Sequence, residues 1–598
     1  MTLRYAIRPA HPGAHLFHVT VTLDDPDPAG QRLMLPAWIP GSYMIREFAR
    51  HVVRLTALAG DRKLRVEKLD KHTWRCAPAA GPLTVAYEVY AWDLSVRAAH
   101  LDETHGFFNG PCVFLLPLGR ERDDCEVDIL PPAGRKYADW KLATGLAPAR
   151  GTRHGGFGTY VARDYDELID CPVEMGRFAH ASFDVLGTRH EIAVTGRVPK
   201  LDLQRLTTDL GRLCEKHILL FEPRGGRAPF ERYAFLTLAL GEGHGGLEHR
   251  NSTALICRRD GLPYAGMKDS TEGYRTFLGL ASHEYFHSWN VKRIRPAAFV
   301  PYDLARENYT RLLWAFEGFT AYYDDLLLAR AGLLTEPQYL DALAQTLTVV
   351  MQRSGRLKQS LAESSFDAWI KYYRADENAP NSIVSYYQKG SLVALALDLT
   401  IRSATRGRRS LDDVMRLLWT RWKRSPDVYP GIDEDELIEA AETATDLKLA
   451  RAIREWTEGT RDPDFAALLA PFGVACERRA ALDQPHFALL GIKTAGTSGR
   501  NECGVANVFD GGAAQDAGVS AGDVLVALNG LRIAAGNLDT LLARYQPGDS
   551  VELLAFRRDE LMRFDVKLGT QPPQRFALRV DPRAGKPAIR LRDGWLKS

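Results

Sequence analysis

The 598-residue sequence lacks an imbalance of charge. Its 77 basic and 75 acidic residues give a formal net charge of +2 at pH 7. This balance gives no reason to expect nucleic acid or a membrane surface as a partner. The sequence also lacks any run approaching the roughly 18 apolar residues of a membrane span. Its N-terminus, MTLRYAIRPAHPGAHLFHVTVTLDDP, lacks the apolar stretch of a signal peptide. We therefore expect a cytoplasmic protein.

Cysteine is scarce and dispersed. The eight cysteines form neither a C-x-x-C pair nor a dense group, so we expect reduced, mostly structural thiols. Hydrophobic residues make up 45% of the chain and charged residues 25%, a composition that supports a large folded core. A chain of this length predicts about three or four domains.

The stretch ASHEYFHSWN contains two histidines four positions apart, with a glutamate directly after the first. The apolar, proline-free residues before it predict a helix, which places His283 and His287 on one face where both reach the same metal ion. Glu284 is then placed to take a proton from a water on the metal. We expect one Zn²⁺ per chain at this motif. The alternative is an amphipathic helix whose two histidines face solvent.

Two histidines do not complete a zinc site, and two glutamates are candidates for the third ligand. Nineteen residues separate Glu307 from the motif and twenty-nine separate Glu317; spacing favours Glu307, but it lies at an expected helix start, where the helix dipole explains an acidic residue. Glu317 occupies an apolar helix face, where an unpaired carboxylate costs several kcal/mol. We therefore expect Glu317 as the ligand, with Gly318 removing bulk where this helix approaches the H-E-x-x-H helix.

Two further stretches carry candidate functional residues. In GEGHGGLEHR, Gly245 and Gly246 expose backbone groups and Glu248 follows; a carboxylate beside a strand edge holds a cationic amine while the edge pairs with a peptide. The alternative is a tight turn with an exposed glutamate. In SYYQKG, Tyr386 or Tyr387 offers a donor for the oxyanion that amide hydrolysis creates, or both tyrosines only pack between helices.

The order of the patterns predicts a multidomain α+β protein. Residues 1–175 alternate in strand fashion and form an antiparallel β domain, whose turn PAWIPGSY we expect to serve packing. Residues 176–478 form a β lobe followed by a helical lobe, the order expected of thermolysin-like zinc peptidases. Residues 484–572 form a further β-rich domain, and residues 573–598 a C-terminal tail.

Taken together, four segments resemble the M61 glycyl aminopeptidase family: HEYFHSWNVKRIRP, LWAFEGFTAYY, GGLEH and PAWIPGSYMIREFARH. The resemblance covers nearly the whole chain. It implies an N-terminal β domain, a thermolysin-like catalytic domain and a PDZ domain. It also implies the removal of N-terminal residues, preferentially small ones such as glycine or alanine, from peptides with a free N-terminus.

The resemblance also implies residue roles. GGLEH is similar to the exopeptidase motif of related aminopeptidases, which makes Glu248 the anchor of the substrate α-amine. YQKG is similar to the motif whose tyrosine stabilises the transition state in those relatives, and this favours Tyr387. The segment VKRIRP has no assigned role.

The C-terminal stretch GGAAQDAGVSAGDVLVALNG resembles a bacterial PDZ domain. Leu490, Gly491 and Ile492 lie where the terminal carboxylate of a peptide would meet backbone N–H groups while the peptide adds as a strand. The leading hypothesis is therefore a zinc-dependent aminopeptidase. The alternatives are a zinc endopeptidase in which Glu248 is only structural, and a PDZ peptide-binding protein whose peptidase domain is inactive.

Overall fold

The chain forms two compact units in the computed structural model, which describes residues 2–480, 484–496, 501–570 and 574–597. The first unit contains the chain up to Asn308 together with Tyr323–Leu334 and Met415–Asp433. The second contains Tyr309–Tyr322, Thr335–Val414 and the chain from Glu434 onwards. Among the described residues, none of the helices combines the length and the apolar character that crossing a membrane requires.

The N-terminal part of the first unit is rich in β-structure, as the alternating sequence predicts. Its strands are β1 (Thr2–His11), β2 (Leu16–Leu23), β3 (Arg32–Met34), β4 (Val52–Ala59), β5 (Arg62–Leu64), β6 (Val66–Lys68), β7 (Thr73–Cys76), β8 (Leu83–Tyr90), β9 (Ala99–Leu101), β10 (His105–Phe108), β11 (Leu116–Pro117), β12 (Asp124–Ile129), β13 (Lys141–Thr144), β14 (Ala147–Pro148), β15 (Gly158–Ala162) and β16 (Val173–Gly176). They form one sheet of order β14-β15-β12-β1-β2-β8-β4-β5 and two four-stranded sheets, β13-β16-β10-β9 and β11-β3-β7-β6. Strands β1 and β12 pair in parallel, so the prediction of a purely antiparallel domain is wrong at this pair.

The alternation of strand β2 shows why these residues form sheets. In LFHVTVTL, Phe17, Val19, Val21 and Leu23 are buried and the residues between them are half-buried. Successive side chains of a strand point to opposite faces, so one face of β2 joins the hydrophobic core. That core is continuous across this part of the unit.

A five-stranded sheet with two long helices follows in the first unit. Its elements are helix α1 (Tyr165–Ile169), strands β17 (Phe178–Val185) and β18 (Thr188–Thr195), helix α2 (Leu203–Phe221), strands β19 (Arg232–Leu240), β20 (Gly245–Glu248) and β21 (Ser252–Arg258), and helix α3 (Glu272–Phe286). The strand order is β17-β18-β19-β21-β20. Strand β20 pairs only with β21, antiparallel to it, and is therefore an edge strand.

The rest of the chain up to residue 472 is mainly helical. The helices are α4 (Leu313–Phe316), α5 (Gly318–Arg330), α6 (Glu336–Gln352), α7 (Leu361–Phe366), α8 (Ala379–Ser382), α9 (Gln388–Thr405), α10 (Leu411–Arg424), α11 (Glu434–Thr445), α12 (Ala450–Thr457) and α13 (Phe465–Leu469). Within the second unit, a Cβ built on Gly318 would lie 2.6 Å from the Cα of Gly390 in α9. The close approach at Gly318 is therefore to α9, whereas the sequence led us to expect the H-E-x-x-H helix.

The C-terminal part of the second unit contains two sheets. Its elements are strands β22 (Val474–Ala480), β23 (Ile492–Gly496) and β24 (Cys503–Val508), helix α14 (Ala513–Asp516), strands β25 (Val524–Leu528) and β26 (Leu531–Arg532), helix α15 (Leu538–Leu542), strands β27 (Ser550–Arg557), β28 (Glu560–Lys567) and β29 (Gln574–Val580), and helix α16 (Lys586–Leu596). Strand β22 pairs with β29, and the larger sheet has the order β23-β24-β25-β27-β28. The expected C-terminal tail thus contains β29 and α16, and α16 buries Trp595 completely.

A buried carboxylate, Asp170, connects three segments of the first unit. Asp170 directly follows α1 and accepts hydrogen bonds from His249 Nδ1 at 3.1 Å, Arg250 Nε at 2.8 Å and Lys292 Nζ at 2.6 Å. Burial alone would raise the pKa of Asp170, but the charges of Lys292 and Arg250 hold that pKa well below its usual value of 3.8. Asp170 thereby joins the hairpin turn after β20 to the chain that follows α3.

The segment VKRIRP, whose role the sequence left open, belongs to this network. Besides Lys292, it supplies Arg293, whose guanidinium donates to the carbonyl oxygens of Arg250, Ser288 and Pro229 at 2.6–2.9 Å. Burial and the charge of Arg250 lower the pKa of Arg293 to about 9. The segment therefore fixes the chain that leaves α3.

Replacing Asp170 by alanine should destabilise the first unit by about 3–5 kcal/mol, because it leaves buried cations unpaired. The group's pKa is lower in the folded state, so its contribution is present above pH 3.8 and is lost as the pH falls below that value. Urea unfolding of wild type and Asp170→Ala between pH 3 and pH 7 measures both effects.

Asp24→Ala is the matched control, because Asp24 pairs with Arg4 on the surface. An exposed pair contributes little to stability, because solvent screens both charges. Equal stability of Asp170→Ala and Asp24→Ala would contradict the role given to Asp170.

Candidate metal centre and peptide-binding edge

Helix α3 carries the H-E-x-x-H motif, which confirms the prediction of a helix there. Its N-terminus is capped by Thr271, whose side chain accepts from the N–H of Tyr274 at 3.1 Å. The helix ends at Phe286, and His287 follows as its C-cap with right-handed helical backbone angles. His283 and His287 therefore keep the spacing of one helical turn.

The two histidines point their Nε2 atoms toward each other. Nδ1 of His283 lies 3.1 Å from Oδ2 of Asp324, and Nδ1 of His287 lies 2.9 Å from the carbonyl oxygen of Asn290. A carbonyl or carboxylate oxygen accepts, so each Nδ1 donates and each neutral Nε2 carries a lone pair. The two Nε2 atoms are 3.1 Å apart.

This arrangement fits a zinc ion. Two lone pairs that face each other at this distance repel, and a cation between them removes the repulsion. Zn–N bonds of about 2.0–2.1 Å at a tetrahedral angle place two nitrogens about 3.3 Å apart, close to the observed separation. Asp324 accepts from Nδ1 of His283 and so orients its ring, as carboxylates orient zinc-bound histidines in other proteins. Burial raises the pKa of Asp324, and a cation beyond that ring would oppose the rise.

The carboxylate of Glu284 lies against the edge strand β20. A Cβ built on Gly246 would be 2.1 Å from Oε1 of Glu284, so only glycine leaves room for this carboxylate. Ligand atoms of Glu248, Glu284 and His287 lie within 4.8 Å of one another. The structure thus brings the motif on α3 and the GGLE strand together.

Glu248 is a buried carboxylate at the end of β20. It is 4% exposed, and its Oε1 has no hydrogen-bond partner among the described residues. Leaving a buried charged acceptor unpaired is costly, which indicates a cationic ligand. On its other side lies Gly41, with a φ of +94°; a Cβ there would be 2.5 Å from both carboxylate oxygens. Our interpretation of PAWIPGSY as packing missed this contact, although a Pro-Gly turn was visible in the sequence.

The backbone of β20 alternates between its partner strand and its free edge. The N–H of His249 donates to the carbonyl oxygen of Ser252 at 3.0 Å, where the hairpin closes. Because hydrogen-bonded pairs alternate along an antiparallel ladder, Leu247 and Gly245 face β21. The peptide groups of Gly246 and Glu248 therefore point away from β21, toward the sheet edge at which an extended peptide could add.

Two other histidines and Glu307 also lie near these segments. His249 binds Asp170, and His244 is exposed. Glu307 is half-buried in an irregular segment, and the next helix begins only at Leu313. The expected helix start at Glu307 is therefore wrong.

In the second unit, Glu317 lies between α4 and α5 with 2% of its surface exposed. Its N–H donates to the carbonyl oxygen of Leu313 at 2.7 Å, and its carbonyl oxygen accepts from the N–H of Ala321 at 2.8 Å. Helical hydrogen bonding therefore continues through Glu317. Burial and, to a smaller extent, the negative charge of Glu317 raise the pKa of Tyr372 and Tyr386.

The two tyrosines that precede α9 differ in exposure. Tyr386 is completely buried, whereas Tyr387 is half-buried and its hydroxyl lies 3.5 Å from that of Tyr373. Burial raises the pKa of Tyr386 well above its usual value. Tyr387 is therefore the more accessible of the two candidate donors.

In the C-terminal sheet, Leu490 and Ile492 are completely buried, and Gly491 has a φ of +70°. The N–H of Gly491 donates to the carbonyl oxygen of Phe487 at 3.1 Å, within the turn. Strand β23 begins at Ile492 and forms an edge of its sheet.

Comparison with known proteins places this chain in a family. Residues 4–177 match the model of the peptidase M61 N-terminal domain, and residues 276–393 match that of the M61 glycyl aminopeptidase. The crystal structure of an aminopeptidase N family protein from Idiomarina loihiensis is 38% identical, with 100% of both chains covered and a TM-score of 0.94. The chain belongs to the M61 glycyl aminopeptidase family. It is therefore a metallopeptidase, and the family assignment supports zinc as its metal.

More distant similarity exists to an M1 zinc metallopeptidase from Deinococcus radiodurans, at 14% identity over 77% of this chain and 94% of that chain, with a TM-score of 0.49. A mutant of an M1 zinc metallopeptidase from the same organism, bound to a Tyr-Ser-Ala substrate, is 15% identical over the same shares, with a TM-score of 0.46. No curated protein sequence matches the chain.

Gly246→Ala should lower kcat for peptide hydrolysis by about 100- to 10,000-fold, because the new Cβ displaces the carboxylate that we expect to act as general base. The zinc content should not change, since both histidines stay in place. Steady-state kinetics and elemental analysis of the purified variant measure the two quantities.

Gly241→Ala is the matched control in the connection that leads into β20, since a Cβ there meets nothing within 4 Å. If both variants hydrolyse peptides at the wild-type rate, catalysis does not depend on the close contact between Gly246 and Glu284.

Proposed function

We propose that this metallopeptidase is a zinc-dependent aminopeptidase that removes N-terminal residues, small ones such as glycine or alanine preferentially, from peptides. The observation that carries the proposal is the buried carboxylate of Glu248, which has an oxygen without a hydrogen-bond partner and lies beside Glu284. A free α-ammonium group supplies both the positive charge and the donors that this oxygen needs.

One zinc ion per chain is held by His283, His287 and Glu317 in this proposal. Glu317 is 2% exposed and helical hydrogen bonding continues through it, whereas Glu307 is half-buried in an irregular segment. Burying a carboxylate is costly without a cation, which supports Glu317 as the third ligand over Glu307. When bound, zinc would polarise the scissile carbonyl group and the attacking water.

The side chains then have distinct roles. Glu248 binds the α-ammonium group, and the outward peptide groups beside Gly246 pair with the substrate backbone. Glu284 takes the proton of the attacking water and passes it to the leaving amine. Tyr387 donates a hydrogen bond to the developing oxyanion.

We further propose the domain boundaries 1–175 for the N-terminal β domain, 176–478 for the catalytic domain and 484–572 for a PDZ domain. The free edge of β23 supports a binding mode in which a C-terminal peptide adds as a strand. Its carboxylate would approach the turn at Leu490, Gly491 and Ile492. The larger sheet and the short helices α14 and α15 fit this assignment.

The requirement for a free amine separates this function from that of an endopeptidase. Glycyl and alanyl p-nitroanilides should be hydrolysed, whereas their N-acetylated forms should react at least about 100-fold more slowly because Glu248 then lacks its cation. A chelator should abolish both activities. Equal hydrolysis of free and acetylated substrates would make this an endopeptidase.

Glu248→Gln should raise KM for the free-amine substrate, since the amide keeps the shape but removes the charge. Glu242→Gln is its control, because Glu242 is exposed in the connection that leads into β20. Identical KM values for the two variants would contradict the role of Glu248.

A further inference from the structure

The guanidinium group of Arg97 lies at the free edge of strand β20. Its Nη2 donates to the carbonyl oxygen of Gly246 at 3.3 Å, the outward-pointing oxygen identified above. A Cβ built on Gly245 would lie 3.8 Å from Nη1. Arg97 thus meets the edge strand where an added peptide would run, on the side of Gly246 away from Glu248.

The loop that carries Arg97 is fixed on both sides of it. The buried side chain of Asn109 donates from Nδ2 to the carbonyl oxygens of Val96 at 2.7 Å and of Ala98 at 3.2 Å. Both neighbours of Arg97 are themselves buried. The backbone on both sides of Arg97 is therefore fixed before any substrate arrives, which reduces the entropy lost when this residue binds a ligand.

Two opposite charges consequently lie along one short piece of strand edge. The carboxylate of Glu248 and the contact of Arg97 with Gly246 are two strand residues apart, about 7 Å along the strand. An extended dipeptide spans about the same length between its amine and its carboxylate. Glu284 also lies against Gly246, close to a dipeptide that would span these two charges.

We infer that Arg97 binds the C-terminal carboxylate of a short substrate, and that the enzyme prefers dipeptides with both termini free. This inference rests on the proposed aminopeptidase function and on Glu248 as the amine anchor. A guanidinium matches a carboxylate through two parallel N–H···O bonds, an interaction stronger than one with a neutral amide. Longer peptides would place a neutral peptide group at Arg97.

The test compares Gly-Ala with Gly-Ala amide, which differ only in the C-terminal charge, and uses glycyl p-nitroanilide as a reference. In the wild type, kcat/KM for Gly-Ala should exceed that for the amide by about 10- to 100-fold, mainly through KM. Arg97→Gln should bring this ratio close to one. Arg97→Lys should retain part of it, since the charge remains without the fork of donors.

Arg62→Gln serves as the control, because Arg62 is exposed on strand β5; it should keep the wild-type ratio. A wild-type ratio near one overturns the inference and leaves the proposed aminopeptidase intact. The inference is also overturned if Arg97→Gln keeps the wild-type ratio while kcat/KM falls equally for Gly-Ala and for its amide. That result would assign Arg97 a structural role. Failure of the wild type to hydrolyse any of the three substrates refutes the proposed function and this inference with it.

Discussion

The negative charge of Asp170 is shared by His249, Arg250 and Lys292 inside the first unit. Two of these partners directly follow Glu248, and the third lies five residues after His287. A single buried carboxylate therefore fixes the hairpin that presents the peptide-binding edge and the chain that leaves the metal-binding helix. Buried ion pairs tolerate little displacement, because moving one partner leaves the other charged and desolvated. This constraint keeps β20 and α3 in a constant relation.

Glycines then allow charged groups to approach the edge. Gly246 leaves room for Glu284, and Gly41 leaves room for Glu248. The two carboxylates lie with His287 in a region whose ligand atoms are within 4.8 Å of one another. Like charges this close repel in a buried site. Cations relieve that repulsion, and the proposed function supplies two of them, the metal and the substrate ammonium group.

Local patterns in the sequence predicted the parts of the site that local structure determines. The H-E-x-x-H spacing predicted a helix with both histidines on one face, and the GGLE stretch predicted a strand edge beside a carboxylate. The burial of Glu317, which is 2% exposed, also follows from the apolar residues around it over several turns. These features follow from periodicity within about twenty residues.

The remaining parts depend on contacts between distant segments. Gly41 lies about two hundred residues before Glu248, and Arg97 about one hundred and fifty before Gly246; no periodicity connects such pairs. The start of α4 was misplaced because Glu307 and its polar neighbours look like a helix N-terminus although the segment is irregular. The predicted neighbour of Gly318 was also wrong. A glycine indicates that another segment approaches closely, but not which segment it is.

We expect zinc to bind between the imidazoles of His283 and His287. An anomalous difference map recorded at the zinc absorption edge, from crystals grown with zinc, tests it directly. The account predicts one strong peak per chain, about 2.0–2.1 Å from Nε2 of His283 and of His287, with a carboxylate oxygen of Glu317 as the third protein ligand. A peak bound by Glu307, or no peak at the two histidines, would contradict it.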